Sequence, residues 1–355
     1  MSTELLISAD SHVIEDPQLW KKRLPRAFQD KAPVFPELKV GGQFQARPGG
    51  HDPRARLSEM AQDGVSGEVL YPSFCLDLYG LADVALQEAC FRVYNDWIIE
   101  YCSVAPDRLF GIGNLSCFNI ANAVKELEHC KKSGLCGAMV WQCPTSDLPF
   151  YGDHYDPLWA AAQEMDMPIS LHILTGQEYP FPRQAPVRIA HLYFPHGVND
   201  KLLYAGNALS GLIAGGALER FPRLKFVFVE NEISWMPFVL SQFDKYWSRG
   251  NLQSQMKLNP SQYFERQIYA TFFNDPPSKM LLGQWGTNNM MWSNDYPHPN
   301  STWPNSSEVI ERDLGHLSAD VKKRLLSQNV QELYKLPQIS QTPNARPRVA
   351  SAAAS

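Results

Sequence analysis

The chain has 355 residues, 44% of them hydrophobic and 19% charged, a balance that excludes a disordered chain, a coiled coil and a collagen-like fibre. Lys+Arg 32 against Asp+Glu 37 leaves a formal net charge of -5 with no long basic run, so nucleic acid is not an expected partner. The longest apolar stretches are strand-sized, and Met1 to Leu6 carries no basic segment leading into an apolar one. The expectation is therefore a soluble, cytoplasmic protein with no membrane span and no signal peptide.

Eight short apolar runs are expected as strands: Leu5 to Ala9, Glu68 to Tyr71, Leu109 to Asn114, Gly137 to Gln142, Ile169 to His172, Lys225 to Glu230, Gln267 to Thr271 and Met290 to Asn294. Helical periodicity follows most of them, over Leu81 to Val104, Ile120 to Ser133, Pro157 to Met165, Leu202 to Arg220, Ile233 to Trp247 and Pro277 to Leu282. Two more helices are expected at Ser306 to Leu314 and Ala319 to Leu325. Asn119 and Asp156 read as N-caps, and Gly134 after Lys131-Lys132 reads as a helix stop. Strand–helix alternation implies right-handed βαβ units and a parallel sheet. A count of eight matches a closed (β/α)₈ barrel, which absorbs residues 1–336 as one α/β domain. The Pro/Gly-rich stretch Pro33 to Pro53 is too long for an ordinary barrel connection and is expected as an inserted lid or arm, while 337–355 reads as a flexible tail.

In such a barrel the reacting groups stand at the C-terminal ends of strands. Four expected strand ends carry metal-ligand chemistry. The first is Asp10-Ser11-His12, where alternation puts both outer residues on one side. The others are His172 after the fifth strand, Glu230 after the sixth, and Asp295 with His298 after the eighth. Imidazoles and carboxylates converging on the axis suit a divalent transition ion such as zinc, manganese or iron. Seven cysteines without a C-x-x-C pair offer neither a disulfide framework nor a thiolate zinc site, and Cys143 is set apart only because it closes a strand. His191 and His196 are candidates for substrate contact or for loop packing. Arg54 and Arg56, near Asp52, would clamp a substrate carboxylate or pair locally.

With these residues in view, the sequence resembles the metal-dependent amidohydrolase superfamily, in the branch that includes aminocarboxymuconate semialdehyde decarboxylase and resorcylate decarboxylases. The resemblance rests on Ser8-Ala-Asp-Ser-His-Val-Ile-Glu15 with Trp20, Arg56-Leu57, Asp63-Gly-Val65, Val69-Leu-Tyr-Pro72 and Pro168-Ile-Ser-Leu-His172. Phe221 to Phe226, Glu230 with Trp235, Met291-Trp-Ser-Asn-Asp-Tyr-Pro-His298 and Ser301-Thr-Trp-Pro304 complete it. It implies that Asp10, His12, His172 and Asp295 bind the ion, with Asp295 close to its water, and that Trp303 joins the substrate site.

Two departures matter. Relatives often open with H-x-H or E-x-H, where this chain has Asp10, and decarboxylases of the branch present a histidine where Glu230 stands. Gln142 and Cys143 cannot bridge two ions as some relatives' lysine or glutamate does, so one metal per chain is expected, with a second possible through Glu230. A glutamate beside a metal serves hydrolysis more readily than decarboxylation. The expectation is accordingly a metal-dependent hydrolase of an acyl bond in a small organic acid derivative, with Asp295, Glu230 and His298 as its catalytic groups. The alternative is a non-oxidative decarboxylase of an aromatic or unsaturated acid, and a non-catalytic metal-containing barrel stands as the other class. The partners expected are a small-molecule substrate and further copies of the chain.

Overall fold

The computed structural model describes residues 4–36, 47–176, 198 and 200–341. Eight parallel strands run in sequential order: β1 (Leu6–His12), β2 (Val65–Tyr71), β3 (Leu109–Asn114), β4 (Gly137–Cys143), β5 (Ile169–Gly176), β6 (Phe226–Val229), β7 (Ile268–Phe272) and β8 (Met290–Trp292). Nearly every strand residue is buried, as expected where helices cover one face and the barrel interior fills the other. Beyond β8 the chain turns back onto β1. The Asp295 N–H donates to the Asp10 carbonyl at 3.1 Å and the His12 N–H to the Tyr296 carbonyl at 2.6 Å, which brings the first and last strand ends together. The result is a nearly closed (β/α)₈ barrel.

The main helices lie where periodicity placed them, at Val84–Cys102, Ile120–Lys132, Asp156–Glu164, Met236–Arg249 and Ser306–Leu314. Asn119 caps as expected, accepting from the Asn122 N–H at 3.2 Å, whereas Asp156 lies inside the first turn and pairs with Arg220 at 2.8 Å instead of capping. The single helix expected over Leu202 to Arg220 is three pieces, a π turn at Asp200–Tyr204 followed by Ala205–Ala214 and Ala217–Arg220. Gly216, at φ 78°, breaks it in a conformation a helix interior cannot hold. Helices at Pro53–Asp63 and Pro260–Gln267 were not expected. The latter carries a full capping box between Asn259 and Gln262.

Of the Pro33 to Pro53 excursion, residues 37–46 lie outside the described residues, and both flanks pack on the barrel. Phe35 stacks on Phe74 with ring centroids 4.7 Å apart, and the Tyr101 hydroxyl donates to the Gly49 carbonyl at 2.7 Å. Of the expected tail, 342–355 also lies outside the described residues. Among the described residues no helix is long and apolar enough to cross a membrane.

Candidate metal centre

Register places the expected ligands at one level. His12 pairs with Tyr71 across β1–β2, and His172 pairs with Trp141 and Val229 across β4–β5–β6, so their side chains meet at the C-terminal mouth. His12 Nε2 lies 3.5 Å from Asp10 Oδ1 and 3.5 Å from Asp295 Oδ1, while His172 Nε2 lies 3.7 Å from Glu230 Oε2. His298 joins them, its ring stacked on His12 at 3.8 Å and its Nδ1 3.2 Å from Asp295 Oδ1. Two overlapping groups of ligand atoms result, each within 4.8 Å of one another: Asp10, His12 and His172; and His12, Glu230, Asp295 and His298. At both acidic strand ends the backbone turns left-handed, with φ 59° at Glu230 and φ 52° at Asp295, a cost on the order of 1 kcal/mol each for residues other than glycine.

The tautomers follow from the hydrogen bonds. A carbonyl only accepts, so His12 donates through Nδ1 to the Pro72 carbonyl at 2.6 Å and His172 through Nδ1 to the Ile173 carbonyl at 2.8 Å. Burial, together with neighbouring His298, pushes His12 well below the usual histidine range; burial takes His172 down to about 3. Both rings are thus neutral and turn bare Nε2 lone pairs toward each other across 3.3 Å. Among the described residues neither carboxylate oxygen of Asp10 accepts a hydrogen bond, and Asp295 meets only the His12 and His298 rings, although both side chains are fully buried. Burial first, then Asp295 and Glu230, push Asp10 well above the carboxylate range, and burial with Asp295 takes Glu230 up to about 8. Facing lone pairs and clustered, buried carboxylates are unfavourable without a cation between them. The donor set fits a divalent ion held by nitrogen and oxygen.

A second layer steadies this cluster, and much of it is absent from the expectations above. Glu15 is fully buried and accepts the N–H groups of Ser73, Phe74 and Cys75 at 3.2, 2.9 and 3.0 Å. The segment it grips supplies the Pro72 carbonyl to His12, and the Ser73 hydroxyl lies 3.1 Å from His298 Nε2. Burial works against a charged His298, yet the Asp295 carboxylate beside it holds the imidazole above its ordinary value. Arg56 is buried, pairs with Glu68 at 2.5 Å and donates to the His12 carbonyl at 2.6 Å, so it braces β1 from behind. Arg54 is exposed on the first turn of Pro53–Asp63. Trp303 donates to the Glu59 carbonyl at 3.0 Å and packs against Tyr296, beneath the DYPH turn. His191 and His196 lie outside the described residues. Lys201, given no role in the sequence reading, reaches the mouth from the π turn after β5, its Nζ 3.4 Å from Glu232 Oε1.

A (β/α)₈ barrel with a mixed histidine–carboxylate centre at its mouth defines a class of metal-dependent enzymes. Within it, this chain belongs to the amidohydrolase family, whose model matches residues 7–336. It is 25% identical over 273 residues to the γ-resorcylate decarboxylase of Polaromonas sp., covering 72% of this chain and 79% of that protein. It is 23% identical over 298 residues to the 2-amino-3-carboxymuconate-6-semialdehyde decarboxylase of Dictyostelium discoideum, covering 80% of this chain and 77% of the relative. Among solved structures, an amidohydrolase from Mycobacterium avium subsp. paratuberculosis superposes with TM-score 0.73 at 16% identity, covering 94% of this chain and 100% of the other. The dihydroxybenzoic acid decarboxylase of Polaromonas sp., with bound manganese and 2-nitroresorcinol, gives TM-score 0.68 at 20% identity, covering 94% and 98%. These relatives overturn the expectation of hydrolysis. The curated relatives named above are decarboxylases, which favours the alternative carboxy-lyase reading over hydrolysis despite Glu230.

Proposed function

We propose that the chain is a metal-dependent non-oxidative decarboxylase of an aromatic carboxylic acid. The observation that carries this reading is the histidine–carboxylate cluster at the barrel mouth, in a chain whose curated relatives are decarboxylases. Asp10, His12, His172 and Asp295 would hold one ion, with Glu230 beside them. Manganese is the first ion to test, because a structural neighbour carries it and the mixed nitrogen and oxygen donors admit it. When bound, the ion supplies a Lewis acid that orients the substrate's oxygens.

The remaining chemistry belongs to side chains of this chain. Release of carbon dioxide breaks the bond between ring and carboxylate, leaves its electron pair on the ring carbon and requires a proton there. Glu230 Oε2, on a side chain 14% exposed at the cluster's edge, delivers that proton. His298, within 4.8 Å of Glu230 and tied to both Asp295 and Ser73, returns one from solvent.

The test is carbon dioxide release by manganese-loaded protein from 2,6-dihydroxybenzoate and 5-carboxyvanillate, compounds handled by structural neighbours. Glu230→Gln is expected to keep the ion and the fold while losing about 100-fold or more in turnover. Failure of the wild-type protein to release carbon dioxide from a panel of hydroxylated aromatic acids, with the ion verified in place, would refute the reading.

A further inference from the structure

We infer that Lys201 is a substrate-binding residue whose ammonium takes an anionic oxygen of the aromatic acid at the barrel mouth, beside Glu232. The inference rests on the decarboxylase reading for its substrate class and on geometry for its residue.

Lys201 lies in Asp200–Tyr204, between β5 and the helix Ala205–Ala214, on the rim where barrel enzymes carry their specificity. Its Nζ stands 3.4 Å from Glu232 Oε1 and 5.8 Å from the centroid of Phe273, a buried residue that follows β7. A charge-assisted bond from an ammonium closes to about 2.8 Å, so this pair is loose, and an ammonium has three donors to place. The lysine side chain is 28% exposed and its partner 15%, which leaves the head open to the mouth. Arg56, a second long basic side chain near the cluster among the described residues, is buried and committed to Glu68 and the His12 carbonyl.

With Glu230 carrying the proton it delivers, Asp10, Glu232 and Asp295 leave three carboxylate charges at the barrel mouth, of which a divalent ion offsets two. An anionic substrate entering that field gains from a positive group it can reach, and Lys201 carries one on a four-carbon stem beside an aromatic wall. Glu232 holds the ammonium over Phe273 until the substrate's oxygen replaces it.

The experiment is equilibrium binding to manganese-loaded protein of three probes: 2-nitroresorcinol, 2,6-dihydroxybenzoate and 5-carboxyvanillate. Lys201→Met is expected to weaken binding about 10- to 100-fold with metal content and melting temperature unchanged, and Lys201→Arg to recover most of it. A loss that includes 2-nitroresorcinol, which has no carboxylate, shows that the contact takes a phenolate or the oxygen-bearing group between the two phenols. A loss confined to 5-carboxyvanillate assigns it to a second carboxylate. Lys201→Met binding all three probes within twofold of wild type overturns the inference and leaves the decarboxylase reading standing, as does wild-type protein that releases carbon dioxide yet binds none of the three. Wild-type protein that binds the probes through Lys201 but decarboxylates no aromatic acid refutes the reading and not the residue.

Discussion

Glu15 offers a sharp test of how the centre is supported. Burial lifts its carboxyl to about 7 against an ordinary 4.5, even though three backbone N–H groups pull the other way. A carboxyl raised on folding binds its proton more tightly in the native state, so stability is fully present below the unfolded value near 4.5 and is lost as pH rises toward 7. The gap of 2.5 pH units at 1.36 kcal/mol each sets that loss at about 3 kcal/mol. Glu15→Gln keeps the shape and a carbonyl acceptor but has nothing to titrate. The Gln amide nitrogen faces one of the three N–H groups and sets a pH-independent offset, relative to which the variant should gain on wild type by about 2–3 kcal/mol between pH 5 and pH 8. Urea unfolding of both proteins, stripped of metal, at four pH values between 5 and 8 measures the difference. A difference that stays flat within about 0.5 kcal/mol across that range would show that Glu15 does not sit ionised in a desolvated cradle, and the reasoning would fail.

Three further outcomes are expected. His12→Ala and His172→Ala should each lower bound manganese at least tenfold by elemental analysis while circular dichroism stays native; unchanged metal in both would dismiss the ligand assignment. Asp295→Asn removes a charge but fits the left-handed backbone, so it should cost metal affinity and turnover with little change in melting temperature. Arg56→Met leaves Glu68 buried without its cation and the His12 carbonyl without its donor. The expected loss is about 3–5 kcal/mol in chemical denaturation, and a loss under 1 kcal/mol would mean that Arg56 is not a brace.

The strand ends were legible because period-two alternation and barrel topology act locally. Asp10 with His12 share a face by spacing alone, and His172, Glu230 and Asp295 each follow an apolar run that can only be a strand. What escaped the sequence depends on contacts closed over long separations. Glu15 meets residues about 60 positions away, and nothing in its neighbourhood announces a partner. Lys201 reaches Glu232 only because the expected helix over Leu202 to Arg220 starts as a π turn. The helix Pro53–Asp63 did announce itself, through the Asp52-Pro53 start, but its position beside a Pro/Gly-rich excursion masked the signal. Hydrolysis and decarboxylation could not be separated from the ligand set, because the same ion-binding groups serve both. The difference lies in which substrate atom faces which acid.

The left-handed turns at Glu230 and Asp295 set what this barrel can become. Histidine, asparagine and aspartate are the non-glycine residues most at ease at such a φ, whereas valine, isoleucine and threonine are barred by their branched Cβ. Position 230 is therefore a socket with a short list of admissible plugs, and an imidazole is on it. A histidine at position 230 would meet the φ of 59° already present at the end of β6, so under the proposed mechanism the acid and the residues proposed to hold the ion are separable by a single substitution.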